Sequence, residues 1–366
     1  MQTLGDNLRI IFDAYELIPG QGKSIGIYKY AKNLLEAMLQ LVDDNIEIIV
    51  ICNALNSPDF THQHKSISTI IISTNAPGKF SRLLWIYGRA ATIVKKYKAD
   101  VYFSPKGILP KGIKLLSAQT KTVVVIHDLI PLWYAEHFLG YFGWLEELFI
   151  NQWITSSAKF ADSVIAISKS TADDILNRLG RKSGVSIVYN GIPHCQAGPR
   201  PLNDAYIFAM ASKFPHKNTQ GVLNAYSAYR NQVINPLPLV MCGLSASNEP
   251  GVITITGIND ATLHAYYAYA ELFICLSLIE GFGFPPAEAL AHGTTVICSD
   301  IPSLREISKD LAVYVPLNNP NAVGQQIIEA LKTKITPELI KERTAIINEY
   351  TWQKCAEGVL FVIRQL

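Results

Sequence analysis

The sequence predicts an α/β protein built from two doubly wound parallel sheets in tandem, and three observations carry that expectation. Its 366 residues exceed the usual single-domain range, so two domains of about 180 residues each are expected. Short apolar, β-branched runs recur along the chain with helix-length gaps between them. One Pro- and Gly-rich stretch, residues 190–204, interrupts the series and reads as a linker.

The first half supplies strand-like runs at 8–12, 46–51, 69–72, 101–103, 122–126, 163–167 and 185–189, alternating with helical patterns that include 25–41, 144–160 and 170–179. Runs that are apolar throughout, rather than at every second residue, indicate burial on both faces, as in a parallel sheet covered by crossover helices. After the linker the pattern resumes at 206–211, 237–241, 252–255, 272–276, 295–298 and 313–315. No fixed-period repeat of solenoid type is present. Open parallel sheets bind ligands beyond the carboxyl ends of their strands, so the default site is a cleft between the two domains, lined by strand-to-helix loops.

Composition narrows the class. With 49% apolar and 17% charged residues the chain reads as a well-buried enzyme, and a net charge of +2 gives no electrostatic reason to expect nucleic acid as a partner. Charge is nevertheless uneven: residues 1–195 carry 20 Lys/Arg against 16 Asp/Glu, and the remainder 12 against 14. The basic stretch 79–98 places Phe80, Leu83, Leu84, Tyr87, Ala91 and Val94 at helical spacing. It fits either an ordinary amphipathic helix with a solvated face or a peripheral contact with an anionic membrane surface. The six cysteines lie mostly in apolar runs without a Cys-x-x-Cys pair, and no apolar stretch is long enough to span a bilayer. A reducing, cytoplasmic setting is therefore expected.

Residues 272–293 are the most informative segment. A buried strand ends near Ser277, a loop carries Glu280, Gly281, Phe282, Gly283 and Phe284, and Pro285-Pro286 open a helix whose first turn is expected to hold Glu288. The glycines let backbone approach a ligand, the free amides at the helix start suit a diphosphate, and each carboxylate can accept two sugar hydroxyls. On spacing alone, Glu288 complementing a helix dipole and Glu280 capping the loop fit equally well. Earlier, the strand 206–211 runs into Ser212-Lys213-Phe214-Pro215-His216-Lys217-Asn218, which delivers two lysines able to neutralise a leaving diphosphate. In the first half, Gly26 opens a helix, and His127-Asp128 end the run TVVVI, where a histidine can hydrogen-bond a sugar hydroxyl or an adjacent acid.

The two glutamates flanking a GFG loop with seven residues between them resemble the signature of glycosyltransferase family 4, and the similarity covers essentially the whole chain. It implies the GT-B architecture, two Rossmann-like doubly wound domains facing across a cleft. It also implies residues 1–190 with a returning terminal helix, 350–366, on the acceptor side, and 191–349 on the donor side. By resemblance, Glu288 holds the donor ribose, and Glu280 with the amides of Gly281, Phe282, Gly283 and Phe284 holds the donor sugar. Lys217 grips the phosphates, Gly26 lines the cleft, His127 contacts the sugar, and Asp128 supports the loop or the acceptor. Ser212 stands where the family commonly has Arg, with Lys213 as the candidate substitute. Asn190-Gly191 match the family's usual strand end. The implied activity is retaining transfer of a hexose from a nucleoside diphosphate sugar to a glycan or lipid-linked acceptor in cell-surface polysaccharide or lipopolysaccharide assembly, closest to bacterial mannosyltransferases using GDP-mannose. UDP-sugars remain open as donors.

Rival readings are weaker on the residues. Gly22-Lys23-Ser24 is only the end of a phosphate-binding loop, since Leu17 occupies the required earlier glycine position. The glycines of GQGKSIG are spaced wrongly for a nicotinamide enzyme. A sugar-nucleotide epimerase or a phosphorylase rarely pairs a GFG loop with HD and KN segments. A noncatalytic nucleotide-sugar-binding scaffold would not need Glu280, Glu288, Lys217 and His127 together. His62-x-His64 reads as a chance surface pair, and no Asp-x-Asp exists to hold a divalent ion on a diphosphate, so no cofactor and no metal are expected.

Overall fold

The computed structural model describes residues 8–20, 25–72, 77–193, 195–333 and 335–366, with backbone alone at 144–149 and 347. The Gly22-Lys23-Ser24 fragment lies outside the described residues. The chain divides into two compact units, Met1–Gly191 with Trp352–Leu366, and Ile192–Thr351.

Unit 1 contains β1 (Leu8–Asp13), β2 (Ile46–Cys52), β3 (Ile67–Ile71), β4 (Val101–Ser104), β5 (Lys121–Ile126), β6 (Ser163–Ala166) and β7 (Val185–Ile187). They form one parallel sheet in the order β3-β2-β1-β4-β5-β6-β7, with Ile10 facing Ile48 on one side and Val101 on the other. The winding reverses between β1 and β4, which makes their carboxyl ends the switch point. Central strands such as β4 and β6 are buried at every position, as their uninterrupted apolar runs require. The terminal helix Trp352–Arg364 buries Cys355, Val359 and Ile363 in this unit and sets the Trp352 ring 5.8 Å from Tyr30. Glycine is required at 191, where a Cβ would lie 2.4 Å from the Trp352 backbone nitrogen.

The stretch 79–98 departs from the single amphipathic helix expected of it. Helix Lys79–Leu84 runs into a π-turn, Trp85–Arg89, before helix Ala90–Lys96. The extra residue of a π-turn rotates the succeeding helix by about 100°. Ala91 and Val94 therefore join Trp85 in the core while Phe80, Leu83, Leu84 and Tyr87 face solvent.

Unit 2 contains β8 (Ile207–Met210), β9 (Leu239–Cys242), β10 (Val252–Ile255), β11 (Leu272–Cys275), β12 (Val296–Ser299) and β13 (Val313–Val315), all parallel, in the order β10-β9-β8-β11-β12-β13. Its switch point lies between β8 and β11, paired through Phe208 and Phe273. The stretch between β7 and β8 carries no regular structure among its described residues. Among the described residues no helix is long and apolar enough to cross a membrane, and no three His, Cys, Asp or Glu side chains group as metal ligands.

Candidate active site

At the unit 2 switch point the loops leaving β8 and β11 are tied together. Leu278 N donates to His216 O at 2.7 Å, Asn218 Nδ2 donates to Leu276 O at 3.0 Å, and Lys217 Nζ meets Glu280 Oε1 at 2.6 Å. Asn218 adopts a left-handed φ of 51°, which asparagine tolerates better than most residues, and its Oδ1 accepts from Gly221 N to cap helix Thr219–Arg230. That turn directs Lys217 toward Glu280.

Glu280 is 9% exposed. Burial pushes its pKa up, but the Lys217 charge and hydrogen bonds from Lys217 and Ser277 Oγ outweigh this and hold the carboxyl below the usual range. A buried carboxylate is tolerated because it is paired and hydrogen-bonded. Lys217 stays 30% exposed, so its ammonium can still reach an anion while paired. Beside it, burial and the Lys217 charge lower His216 to about 4, which leaves the ring neutral at pH 7.

Gly283 is fixed by geometry, with φ at 95° and a hypothetical Cβ 2.4 Å from Leu304 Cδ2. It caps helix Phe284–Ala291, and buried Phe282 packs its ring 5.0 Å from Phe284 and 5.7 Å from Tyr350. Gly281 is buried beside them. The helix begins at Phe284, ahead of the prolines, so Glu288 lies one residue further in than expected, just past the first turn, and no acid occupies that turn. Past the first turn the macrodipole has largely decayed, which removes dipole compensation as the reason for this residue. Glu288 instead lies close to the buried phenol of Tyr267, which burial and then the Glu288 charge push well above its ordinary range.

Ser212 serves its own turn: its N donates to Thr219 Oγ1 at 3.0 Å, and its Oγ accepts from Phe214 N at 3.2 Å. Lys213 is exposed. In unit 1, Gly26 sits in the first turn of helix Ile25–Leu39 with open space where a Cβ would stand. His127 Nε2 lies 2.7 Å from Pro105 O, and burial lowers the ring to about 4. Asp128 Oδ1 accepts from Ile130 N at 3.0 Å and so braces the start of helix Ile130–His137. His64 Nδ1 accepts from Ser66 N at 3.2 Å.

Sequence reading missed Ser277, which donates to Glu280 at 2.7 Å; the Ser-x-x-Glu spacing was the available signal. It also missed Asp13, Glu16 and Lys106 at the unit 1 switch point. Lys106 Nζ lies 3.2 Å from Asp13 Oδ2 and 3.1 Å from Glu16 Oε2, with none of the three side chains more than 10% exposed.

The pairing of a lysine from the β8 loop with a glutamate from the β11 loop, ahead of a glycine-capped helix, fits an anion-and-hydroxyl site. Residues 26–194 match the family model Glycosyltransferase Family 4, and residues 195–349 match Glycosyl transferases group 1. The chain is a glycosyltransferase, with a family 4 domain followed by a group 1 domain. Among its relatives, the O-antigen chain mannosyltransferase RfbU of Salmonella typhimurium is 24% identical over 80% of this chain and 84% of its own. The O-antigen chain mannosyltransferase B of Escherichia coli is 25% identical over 73% and 74%. Among solved structures, a sucrose-phosphate synthase from Thermosynechococcus elongatus superposes with a TM-score of 0.73 at 17% identity, over 98% of this chain and 99% of its own. The lipopolysaccharide glycosyltransferase WaaG gives a TM-score of 0.68 at 13% identity, over 97% and 99%. At that identity the structures establish the fold alone, and the fold of this glycosyltransferase is GT-B.

Proposed function

We propose that this glycosyltransferase moves a mannosyl group from GDP-mannose to a glycan or lipid-linked acceptor in cell-surface polysaccharide assembly, with retention at the anomeric carbon and without a metal ion. The observation that carries the reading is the Lys217–Glu280 pair, half-open at the unit 2 switch point, with Glu280 ionised and Lys217 reachable. The names of the relatives support mannose, and the lack of any Asp-x-Asp pair supports metal independence.

In this reading Lys217, helped by Lys213 and the amides at Gly283 and Phe284, stabilises negative charge gathering on the leaving diphosphate. Glu280 accepts two hydroxyls of the donor sugar and Glu288 those of the ribose. His127 accepts a substrate hydroxyl. The bond from the anomeric carbon to phosphate oxygen breaks as the acceptor oxygen attacks from the same face, and the departing phosphate takes the acceptor proton. No carboxylate is assigned as a nucleophile.

We also assign unit 1 a peripheral contact with anionic lipid at the cytoplasmic face of the membrane. Phe80, Leu83, Leu84 and Tyr87 are exposed beside Lys79, Arg82 and Arg89, and residues 60–99 contain no acid. Sedimentation with anionic vesicles, absent with neutral ones and lost in Phe80→Asp/Leu84→Asp, is expected; equal sedimentation of the variant would remove this contact.

The donor is tested by thermal stabilisation and slow hydrolysis across GDP-, UDP-, dTDP- and ADP-sugars with EDTA present. GDP-mannose alone should respond, and Lys217→Ala should abolish the response. A UDP-sugar responding instead would change the donor and leave the site standing, whereas silence across the panel would overturn the donor site.

A further inference from the structure

We propose that Lys106 is a positioning residue that fixes the ring orientation and tautomer of His127, acting through the peptide that joins it to Pro105. The inference rests on the proposed function for the role of His127, but its geometry is independent of that role. His127 Nε2 lies 2.7 Å from the carbonyl oxygen of Pro105. A carbonyl only accepts, so Nε2 carries the proton and donates. The ring is neutral at pH 7 because burial lowers it to about 4. A neutral ring with its proton on Nε2 has a lone pair on Nδ1, so toward a substrate hydroxyl His127 acts as an acceptor. Its alignment depends on where the Pro105–Lys106 peptide points.

Two sets of contacts hold that peptide. The Lys106 ammonium, 6% exposed, is clamped between Asp13 Oδ2 at 3.2 Å and Glu16 Oε2 at 3.1 Å. Asp13 is itself immobilised: its Oδ2 accepts from Tyr102 Oη and from Trp85 Nε1 at 3.2 Å, and its Oδ1 accepts from Tyr15 N at 3.0 Å. Burial would lower Lys106, but the two carboxylates hold it above its ordinary range, so it remains charged. On the other side Gly107 takes a φ of 78°, and a Cβ there would stand 3.0 Å from Val125 O, so the turn packs directly onto β5 two residues before His127. The His127 ring is backed by Tyr30, edge-on with centroids 4.7 Å apart, and its own carbonyl accepts from Thr171 Oγ1 at 3.3 Å. Ring packing sets the plane of the imidazole, and the Pro105 carbonyl selects which nitrogen holds the proton.

The test is two-bond nitrogen–proton correlation spectra of the full chain labelled with [15N]histidine, followed from pH 8 down to about pH 4. His127→Gln assigns the His127 signals by their loss. Wild type should show His127 as the Nε2-protonated tautomer, without titration near neutrality. In Lys106→Met the His127 nitrogens should move toward the average of two tautomers, still without titration near neutrality, because burial keeps the ring neutral and the Pro105 hydrogen bond is the contact that favours its charged form. Turnover should fall roughly ten- to a hundred-fold while KM for the donor holds. Glu16→Gln, which removes one tether and leaves the Asp13–Lys106 pair, should shift the same signals less, in the same direction. A folded Lys106→Met with wild-type His127 spectra would overturn the proposal. Should Lys106→Met not fold, unchanged His127 spectra in Glu16→Gln would do so. Wild-type turnover in His127→Gln would remove the catalytic reading of His127 and leave the spectral test of positioning intact.

Discussion

The two sheets of this enzyme share the strand order around their centres and place a lysine–carboxylate cluster at the same point in it, yet one cluster is open to solvent and the other is closed. In unit 2, Lys217 comes off β8, the strand that opens its sheet, and Glu280 follows the neighbouring β11; the lysine remains 30% exposed. In unit 1, Asp13 ends β1, Lys106 follows the neighbouring β4, and nothing of the cluster is more than 10% exposed. A switch point is where two strand-to-helix connections diverge and leave a gap above the sheet. Unit 2 keeps its lysine reachable there, whereas unit 1 fills the same point with side chains no more than 10% exposed. A charge pair marks ligand chemistry only where exposure lets a ligand compete for it.

Paired substitutions in the two units test this contrast. The largest effect is expected on catalysis in unit 2: Glu280→Ala should lower turnover on the order of a hundred- to a thousand-fold, read by donor consumption with acceptor present. Lys217→Ala should act similarly while costing about 1–3 kcal/mol of stability, because the buried Glu280 loses its cation but keeps the Ser277 hydrogen bond. Lys106→Met reverses the balance. It leaves two carboxylates buried without their cation, so urea unfolding should show a loss of about 3–5 kcal/mol. Equal stability losses at positions 217 and 106 would erase the difference between the two clusters.

Intermediate in size is the acid response of the two neutral histidines, one in each unit. His127 and His216 both titrate at about 4 in the fold, against about 6.5 in the unfolded chain. Between these values the unfolded state binds protons that the fold refuses, so stability should fall as pH drops from about 6.5 to about 4, by at most about 1.4 kcal/mol per pH unit for each ring. His127→Gln should roughly halve that slope. Glu280 is also depressed and acts in the same direction at lower pH: its contribution is full above its unfolded value and disappears as pH falls through its folded one. The smallest change is expected from Glu288→Ala, which should raise the donor KM about tenfold, a loss near 1.4 kcal/mol of binding, with turnover retained.

Strands such as Leu239–Cys242 and Leu272–Cys275 were legible in the sequence because a strand buried on both faces is apolar along its length. Glu280, Gly283 and the Lys217-Asn218 pair were legible as a motif because each answers a local demand: a left-handed turn, a helix cap, a charge at a strand end. Tertiary structure alone decided that Lys217 meets Glu280 across 63 residues of chain and that Lys106 meets Asp13 and Glu16. It also decided that a π-turn exposes Phe80 and Leu84 while Val94 stays in the core, and that Glu288 lies beyond the first helical turn. Hydrophobic period and turn chemistry are properties of neighbours along the chain. Partners, burial and helix register arise only when the sheet order brings distant loops together, as it does where β1 meets β4 and β8 meets β11.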